Sequence, residues 1–296
     1  PTGAMTVVLV PVFHHYGPAG VLMVGAMAGI VLLAMAMASW GQYVRLLPVS
    51  VVEGFTAGIA VVIALQQVPA ALGVSHVNGD HVWSIAAEAV RRYVGDPHVA
   101  PVVVAVAVAV LMLGGSRWRP RIPYALVGVA LATIAARVLD LDVVSLGHLP
   151  AGLPAPSFGF VDLGTAGSLV TAALAVAALA ALESLLCATV ADGMSVNERH
   201  DPDRELFGQG LANLVVPVFG GVAATAAIAR TAVNVRAGAR SRLAAVSHSL
   251  VLVVVIFAAA PLVSDIPLAA LAGVLFATCI RMVEAGSIRT LMHATR

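Results

Sequence analysis

The chain contains no lysine, and it carries little charge of either sign. Arg supplies all 16 basic residues against 15 acidic ones, and charged residues make up 10% of the 296. A soluble domain carries about 25%. Aromatic residues are scarce as well, at 5%. Hydrophobic residues reach 60%, and the mean hydropathy is +0.99. There is too little polar surface to cover a water-soluble globule of this length. An ordinary cytosolic enzyme, a nucleic-acid binder and a disordered chain are therefore excluded. Arg in place of Lys, with much Ala and Val, reads as codon bias. The near-balance of charge does not point to an anionic partner.

Cysteine is nearly absent too. Cys187 and Cys279 lie in apolar runs, with no second Cys or His at metal-ligand spacing. Neither a zinc site nor a redox pair is legible, and no disulfide is expected. No HExxH, GxSxG or Walker sequence is present, and no Ser/His/Asp set. No catalytic residue, metal or cofactor is expected, and the chain does not read as an enzyme.

What the sequence does have is long apolar runs. A membrane-spanning helix needs about 20 such residues. Full spans are expected at roughly 20–38, 50–72, 99–114, 122–139, 166–190, 243–261 and 267–283. Shorter or interrupted segments lie at 2–12, 207–219 and 222–235. The runs are continuous rather than alternating, which excludes a β-barrel. The reading is an all-α polytopic protein of the cell membrane, with ten segments.

Arg distribution orients it. If residues 39–49 are cytoplasmic, alternation places Arg45, Arg117, Arg119, Arg121, Arg199, Arg204, Arg236, Arg240, Arg242, Arg281, Arg289 and Arg296 on that side. These twelve of sixteen follow the positive-inside rule. Arg91, Arg92 and Arg137 fall on the other side. There, SIAAEAVRRYV reads as an amphipathic surface helix. The loop 140–165, with Asp140, Asp142 and Asp162, reads as solvated.

Ionisable groups inside a membrane segment are costly, so they are candidates for function. Glu183 interrupts TAALAVAALAALESLLCATVA. A desolvated carboxylate can hold a proton near neutral pH. Cys187, four residues on, shares its helix face. A coupling-ion site is expected here; the competing reading is a Glu that pairs with a neighbouring helix for packing. Arg230 lies in GGVAATAAIARTAVNVRAGAR, which is too short to cross as one helix. Gly220 and Gly221 precede it, and a half-helix is expected to start after them. Its free N-terminal N–H groups would attract an anion, and Arg230 adds a full charge. Snorkelling to the cytoplasmic face is the alternative for Arg230. The first segment, PTGAMTVVLVPVF, has the same character: Pro1 suits a first helical turn, and Thr2 and Gly3 offer donors. Two short, Gly/Pro-marked segments in corresponding halves point to a transporter's substrate site. His14 and His15 read as interfacial, His248 as a satisfied core histidine, and Met23, Met27, Met35 and Met37 as packing.

The stretch from Glu183 to Arg242, together with PTGAM, VEGFTAGIAVVIALQQVPAALGV and IPLAALAGVLFA, resembles the SulP (sulfate permease) family of anion transporters. The resemblance runs over essentially the whole chain. It implies a 7+7 inverted-repeat (UraA/SulP-like) fold, divided into core and gate, with two half-helices flanking the anion. The ten segments then correspond to segments three to twelve of fourteen. The expectation is that residues 1–296 are one incomplete SulP transmembrane domain. The first two and last two segments and the STAS domain would be absent, and the chain would not transport alone. Thr2, Gly3 and Ala4 match the start of the segment-three half-helix. Ala227, Ile228, Ala229 and Arg230 match the start of segment ten. Glu183 matches the acidic coupling position of segment eight. Where sodium–bicarbonate members have Asp followed by a Thr ligand, this chain has Glu183 and Cys187; Ile228 likewise lacks a hydroxyl. Sodium prefers oxygen ligands, so proton coupling is expected over sodium. The implied partners are a small inorganic anion, sulfate before bicarbonate, a proton and the lipid bilayer. An anion channel of the same fold is the alternative. The sequence does not fix oligomeric state, and a homodimer of the full-length protein stays open.

Overall fold

Continuous apolar runs of Ala, Val and Leu satisfy their backbone only as helices in lipid, and helices account for the architecture. The structure is a computed structural model. It describes residues 3–46, 49–75, 77, 79, 81–119, 122–148, 152, 154–194 and 199–282. Ten α-helices run in chain order among the described residues: α1 (Gly3–Met37), α2 (Val49–Leu72), α3 (Val82–Gly95), α4 (Val99–Trp118), α5 (Tyr124–Val138), α6 (Leu163–Met194), α7 (Pro202–Val215), α8 (Ile228–Arg236), α9 (Leu243–Ser264) and α10 (Leu268–Met282). They form two compact units. The first is Pro1–Pro48 with Gly152–Val253; the second is Val49–Ala151 with Val254–Arg296.

Two expected segments, 2–12 and 20–38, appear as the single run α1, broken at Gly17 (φ 66°, ψ −166°). That backbone conformation is essentially restricted to glycine. Pro18 follows and holds its predecessor out of the helical region, so the break is written into the Gly17–Pro18 dipeptide. The expected segment 207–219 begins earlier, at Pro202. Asp201 caps α7 by accepting from the Asp203 and Arg204 amides at 3.1 and 3.2 Å, and Pro202 takes the first helical position, where no N–H is needed. Among the described residues, Met5–Met37, Val99–Trp118, Leu163–Met194 and Leu243–Ala260 are long and apolar enough to cross a membrane, while Ala57–Leu72, Tyr124–Val138 and Leu268–Arg281 are shorter. The expected span 50–72 corresponds to α2, with 24 residues, whereas two of the seven expected full spans, 122–139 and 267–283, are shorter apolar helices. α5 is confined between Pro123 and the turn at Leu139–Asp140.

In the first unit α1 packs on α6 and α7. Its core joins Met5, Leu32, Leu169, Val176, Leu185 and Leu206, all essentially inaccessible. The hydrophobic effect contributes little between helices in lipid, so close backbone approach takes its place. Gly25 and Gly29 form a GxxxG pair on α1. A Cβ on Gly29 would stand 2.8 Å from the Gly210 carbonyl oxygen and 2.9 Å from the Leu214 nitrogen of α7. Gly29→Val in the full-length protein is therefore expected to destabilise by roughly 1–3 kcal/mol through overpacking. Thermal unfolding in detergent measures this, and an unchanged midpoint would refute the contact.

In the second unit α10 packs on α2 and α4 around Ala71, Val104, Ala105, Val108, Ala269, Ala270 and Ala272. Residues 144–147 run antiparallel to 264–268, with Leu146 N donating to Ile266 O at 3.0 Å and Leu268 N to Val144 O at 2.9 Å. Arg281, in the last turn of α10, donates to the Met112 carbonyl at 2.6 Å and to Ser116 near the end of α4. The amphipathic segment is α3, with Ala86 and Ala89 buried and Trp83, Val90 and Val94 exposed.

Candidate functional site

The site expected from sequence maps onto the first unit. The half-helix after Gly220–Gly221 exists, and it begins at Ile228 with Ala227 as its N-cap, where the family resemblance set its start. Residues 221–227 lie outside any helix, and α8 begins only at Ile228. The gap after the glycine pair has a cause in side chains. Asn213 of α7 is fully buried. Its amide nitrogen donates to the Ala224 carbonyl at 2.9 Å and to the Gln209 carbonyl at 3.0 Å, and its oxygen accepts from the Ala224 N–H at 2.8 Å. Gln209 also donates to the Ala224 carbonyl. Thr225 donates to the Ala180 carbonyl of α6 at 3.2 Å. The non-helical segment is thus tied to both α7 and α6. Its polar backbone is satisfied without helix, as a buried backbone must be.

α8 has nine residues, about 14 Å of helix, too short to cross a hydrocarbon core of about 30 Å. Its N-cap, Ala227, has an extended backbone and makes no side-chain capping bond. The first N–H groups of a helix have no partner within the helix, and here no capping side chain answers them. Ile228, Ala229 and Arg230 occupy this first turn. Arg230 is exposed within the chain. At the other expected half-site, Gly3 and Ala4 form the first turn of α1; Pro1 and Thr2 lie outside the described residues. Both helices lean on α6: α1 along its length, and α8 beside Cys187.

Glu183 lies on α6, half-buried and with its own interactions. Next to it, Ser184 is fully buried and donates to Glu205 at the start of α7. One turn on, the buried Cys187 thiol meets the Thr231 hydroxyl of α8, and the charges of Glu183, Glu205 and Arg230 reach it. The structure therefore brings Glu183, Cys187 and the first turns of α8 together. Sequence reading missed Ser184, Glu205, Gln209, Asn213 and Thr225. Polar amides in the apolar run GQGLANLVVPVF were the available signal. Two other expectations change. His248 is exposed along α9 instead of buried in a core, because α9 packs little within the described chain. Met37 is exposed at the end of α1, while Met23 is buried. Cys187 and Cys279 are both free thiols.

At the α6–α7 connection of this unit, Asp192 at the end of α6 accepts from His200 at 2.7 Å and from its backbone N–H at 3.0 Å. Asp203 accepts from the Gly41 N–H at 2.9 Å. These bonds anchor the approach to α7 from both neighbouring strands of chain.

Comparison with known proteins places this arrangement. A profile of the sulfate permease family matches residues 1–296. The candidate sulfate transporter YvdB of Bacillus subtilis is 35% identical over 99% of this chain and 56% of its own length. The bicarbonate transporter BicA of Synechocystis sp. is 31% identical over 100% of this chain and 54% of its own. The chain thus spans about half the length of these relatives. Among solved structures, the transmembrane domain of a cyanobacterial BicA superposes with a TM-score of 0.85 at 29% identity, over 96% of this chain and 74% of that one. SLC26A9 shares the fold, with a TM-score of 0.79 at 15% identity over 90% and 44% of the two chains. The apolar helices are those of a multi-pass membrane protein, and the chain belongs to the sulfate permease family.

Proposed function

We propose that this chain forms the anion-binding part of a proton-coupled secondary transporter for an inorganic anion, with sulfate as the first candidate. The observation that carries this reading is α8: a short, uncapped helix with Arg230 in its first turn, braced by the helix that bears Glu183. Backbone N–H groups and a guanidinium favour an anion over a cation or a neutral base. In this reading Thr2, Gly3, Ala4, Ala227, Ile228, Ala229 and Arg230 hold the anion, largely through backbone donors. Glu183, with Cys187 beside it, takes the coupling proton. Thiol and alkyl groups at Cys187 and Ile228 make a poor sodium site, since sodium wants oxygen. Alternating access carries the site from one face of the membrane to the other.

Bicarbonate is the second reading, favoured by the close superposition on the BicA transmembrane domain. Backbone donors do not discriminate strongly between the two anions. Radiolabelled uptake by the full-length protein in vesicles, with sulfate, bicarbonate and dicarboxylates in competition across a pH series, tests the proposal. Saturable sulfate uptake that rises as external pH falls is expected. Unsaturable flux that ignores the pH gradient would establish a channel and overturn it.

A further inference from the structure

The segment after α8 holds charge that the site above does not use. Between Glu205 and Asp265 the sequence contains no acidic residue, yet Arg230, Arg236, Arg240 and Arg242 fall there. Among the described residues, Arg240 and Arg242 are exposed and join no ion pair. They do not hang from a floppy loop. α8 ends in a Schellman turn: Gly238 has φ 97°, its N–H donates to the Val235 carbonyl at 3.0 Å, and the Ala239 N–H donates to the Asn234 carbonyl at 3.1 Å. This geometry closes the helix and fixes the direction of the chain that follows. The result is an open cavity of about 720 Å³. Asn234, Arg240, Ser241 and Arg242 line one part, and Leu243 and Val246 line the other.

The apolar side continues outward. Leu243, Val246 and Leu250 are 71%, 62% and 64% exposed, and their spacing sets them on one face of α9. Arg distribution puts the charged end at the cytoplasmic surface, where anionic lipids are found and each Arg near the surface gains from them. A small soluble anion would gain nothing from the apolar stripe. An amphiphile with a negative head matches both ends.

We propose that the α8–α9 turn is a binding site for an anionic phospholipid. Arg240 and Arg242 take the phosphodiester, Ser241 and Asn234 supply neutral hydrogen bonds, and an acyl chain lies along Leu243, Val246 and Leu250. The site lies at the opposite end of α8 from the first turn proposed to hold the anion, and it does not depend on the transport reading.

The test uses the full-length protein, reconstituted in nanodiscs of equal phosphatidylcholine and phosphatidylglycerol. Native mass spectrometry then counts lipids retained on extraction. Wild-type protein is expected to retain phosphatidylglycerol selectively. Arg240→Gln with Arg242→Gln should lower that retention roughly thirtyfold, from the loss of two cationic contacts at an anionic surface. Arg240→Lys with Arg242→Lys should preserve most of it, which guards against misfolding as the cause. Excess inorganic phosphate should leave the retained lipid in place. Equal retention by the Gln variant and wild type would overturn the proposal. So would displacement by inorganic phosphate, which would mark a site for free phosphoanions.

Discussion

Glu183→Gln in the full-length protein is expected to yield uptake that no longer responds to pH. If Glu183 takes up the coupling proton, wild-type uptake rises as external pH falls, because protonation of the carboxylate is a step of the cycle. Gln keeps the volume and can still accept and donate hydrogen bonds, but it cannot titrate. The slope of rate against pH should therefore vanish, and accumulation against a gradient should be lost with it. Anion affinity should change far less, because the proposed anion contacts are on α1 and α8. The surroundings make this a sharp test. Ser184 and Cys187, one and four residues on, are buried and Glu183 is only half-buried, so the substitution leaves the packed residues untouched. A Glu that merely braces a neighbouring helix would give the opposite pattern. Its Gln variant would keep the pH slope and show a lower unfolding midpoint, and that result would remove Glu183 from the coupling site. The same assay separates Cys187: Cys187→Ser should retain the pH slope, since a hydroxyl can still meet Thr231.

Much of the frame was legible from composition and period. The scarcity of charge gave the membrane class, and the apolar runs located α1, α4, α6 and α9 closely. The Gly17–Pro18 break and the Asp201–Pro202 helix start follow from local backbone chemistry that any reader of the sequence can apply. Glu183 and Arg230 stood out because a charge in an apolar run is costly wherever it falls. Other features were not legible, for one shared physical reason. Asn213 in LANLVVPVF is an isolated amide, and nothing local says which backbone group it will satisfy. Its partner, Ala224, is eleven residues away across a turn. Thr225 likewise reaches Ala180, and Ser184 reaches Glu205. Such bonds are set by helix packing, so the non-helical run 221–227 looked like helix until its partners were in view. The GxxxG at Gly25 and Gly29 was readable, but its partner Gly210 was not.

Asn213→Leu is expected to impair transport more than any substitution in the anion-contacting residues. Leu has the same branching and is larger, so no cavity forms, but three hydrogen bonds disappear. The Ala224 N–H is left without Asn213, in a half-buried position where an unsatisfied backbone group costs up to about 1–3 kcal/mol. The Ala224 carbonyl keeps Gln209 as a donor, so the segment should shift rather than unfold. A shift there is transmitted to Ala227 and so to the first turn of α8, where the anion is proposed to bind. Misplacement by about 1 Å can cost on the order of 10²-fold in rate, and a loss of that order in uptake is expected. Asn213→Asp separates geometry from chemistry. The carboxylate still accepts from the Ala224 N–H, but it has no donors and faces two carbonyl oxygens, so it should also fail. Gln209→Leu removes only the second donor to the same carbonyl and should weaken uptake modestly. Uptake kinetics and thermal unfolding of the three variants decide the matter together. A positioning role predicts that KM for the anion rises while the fold survives at assay temperature. Normal KM and rate in Asn213→Leu would show that the clamp holds the chain without aiming the helix.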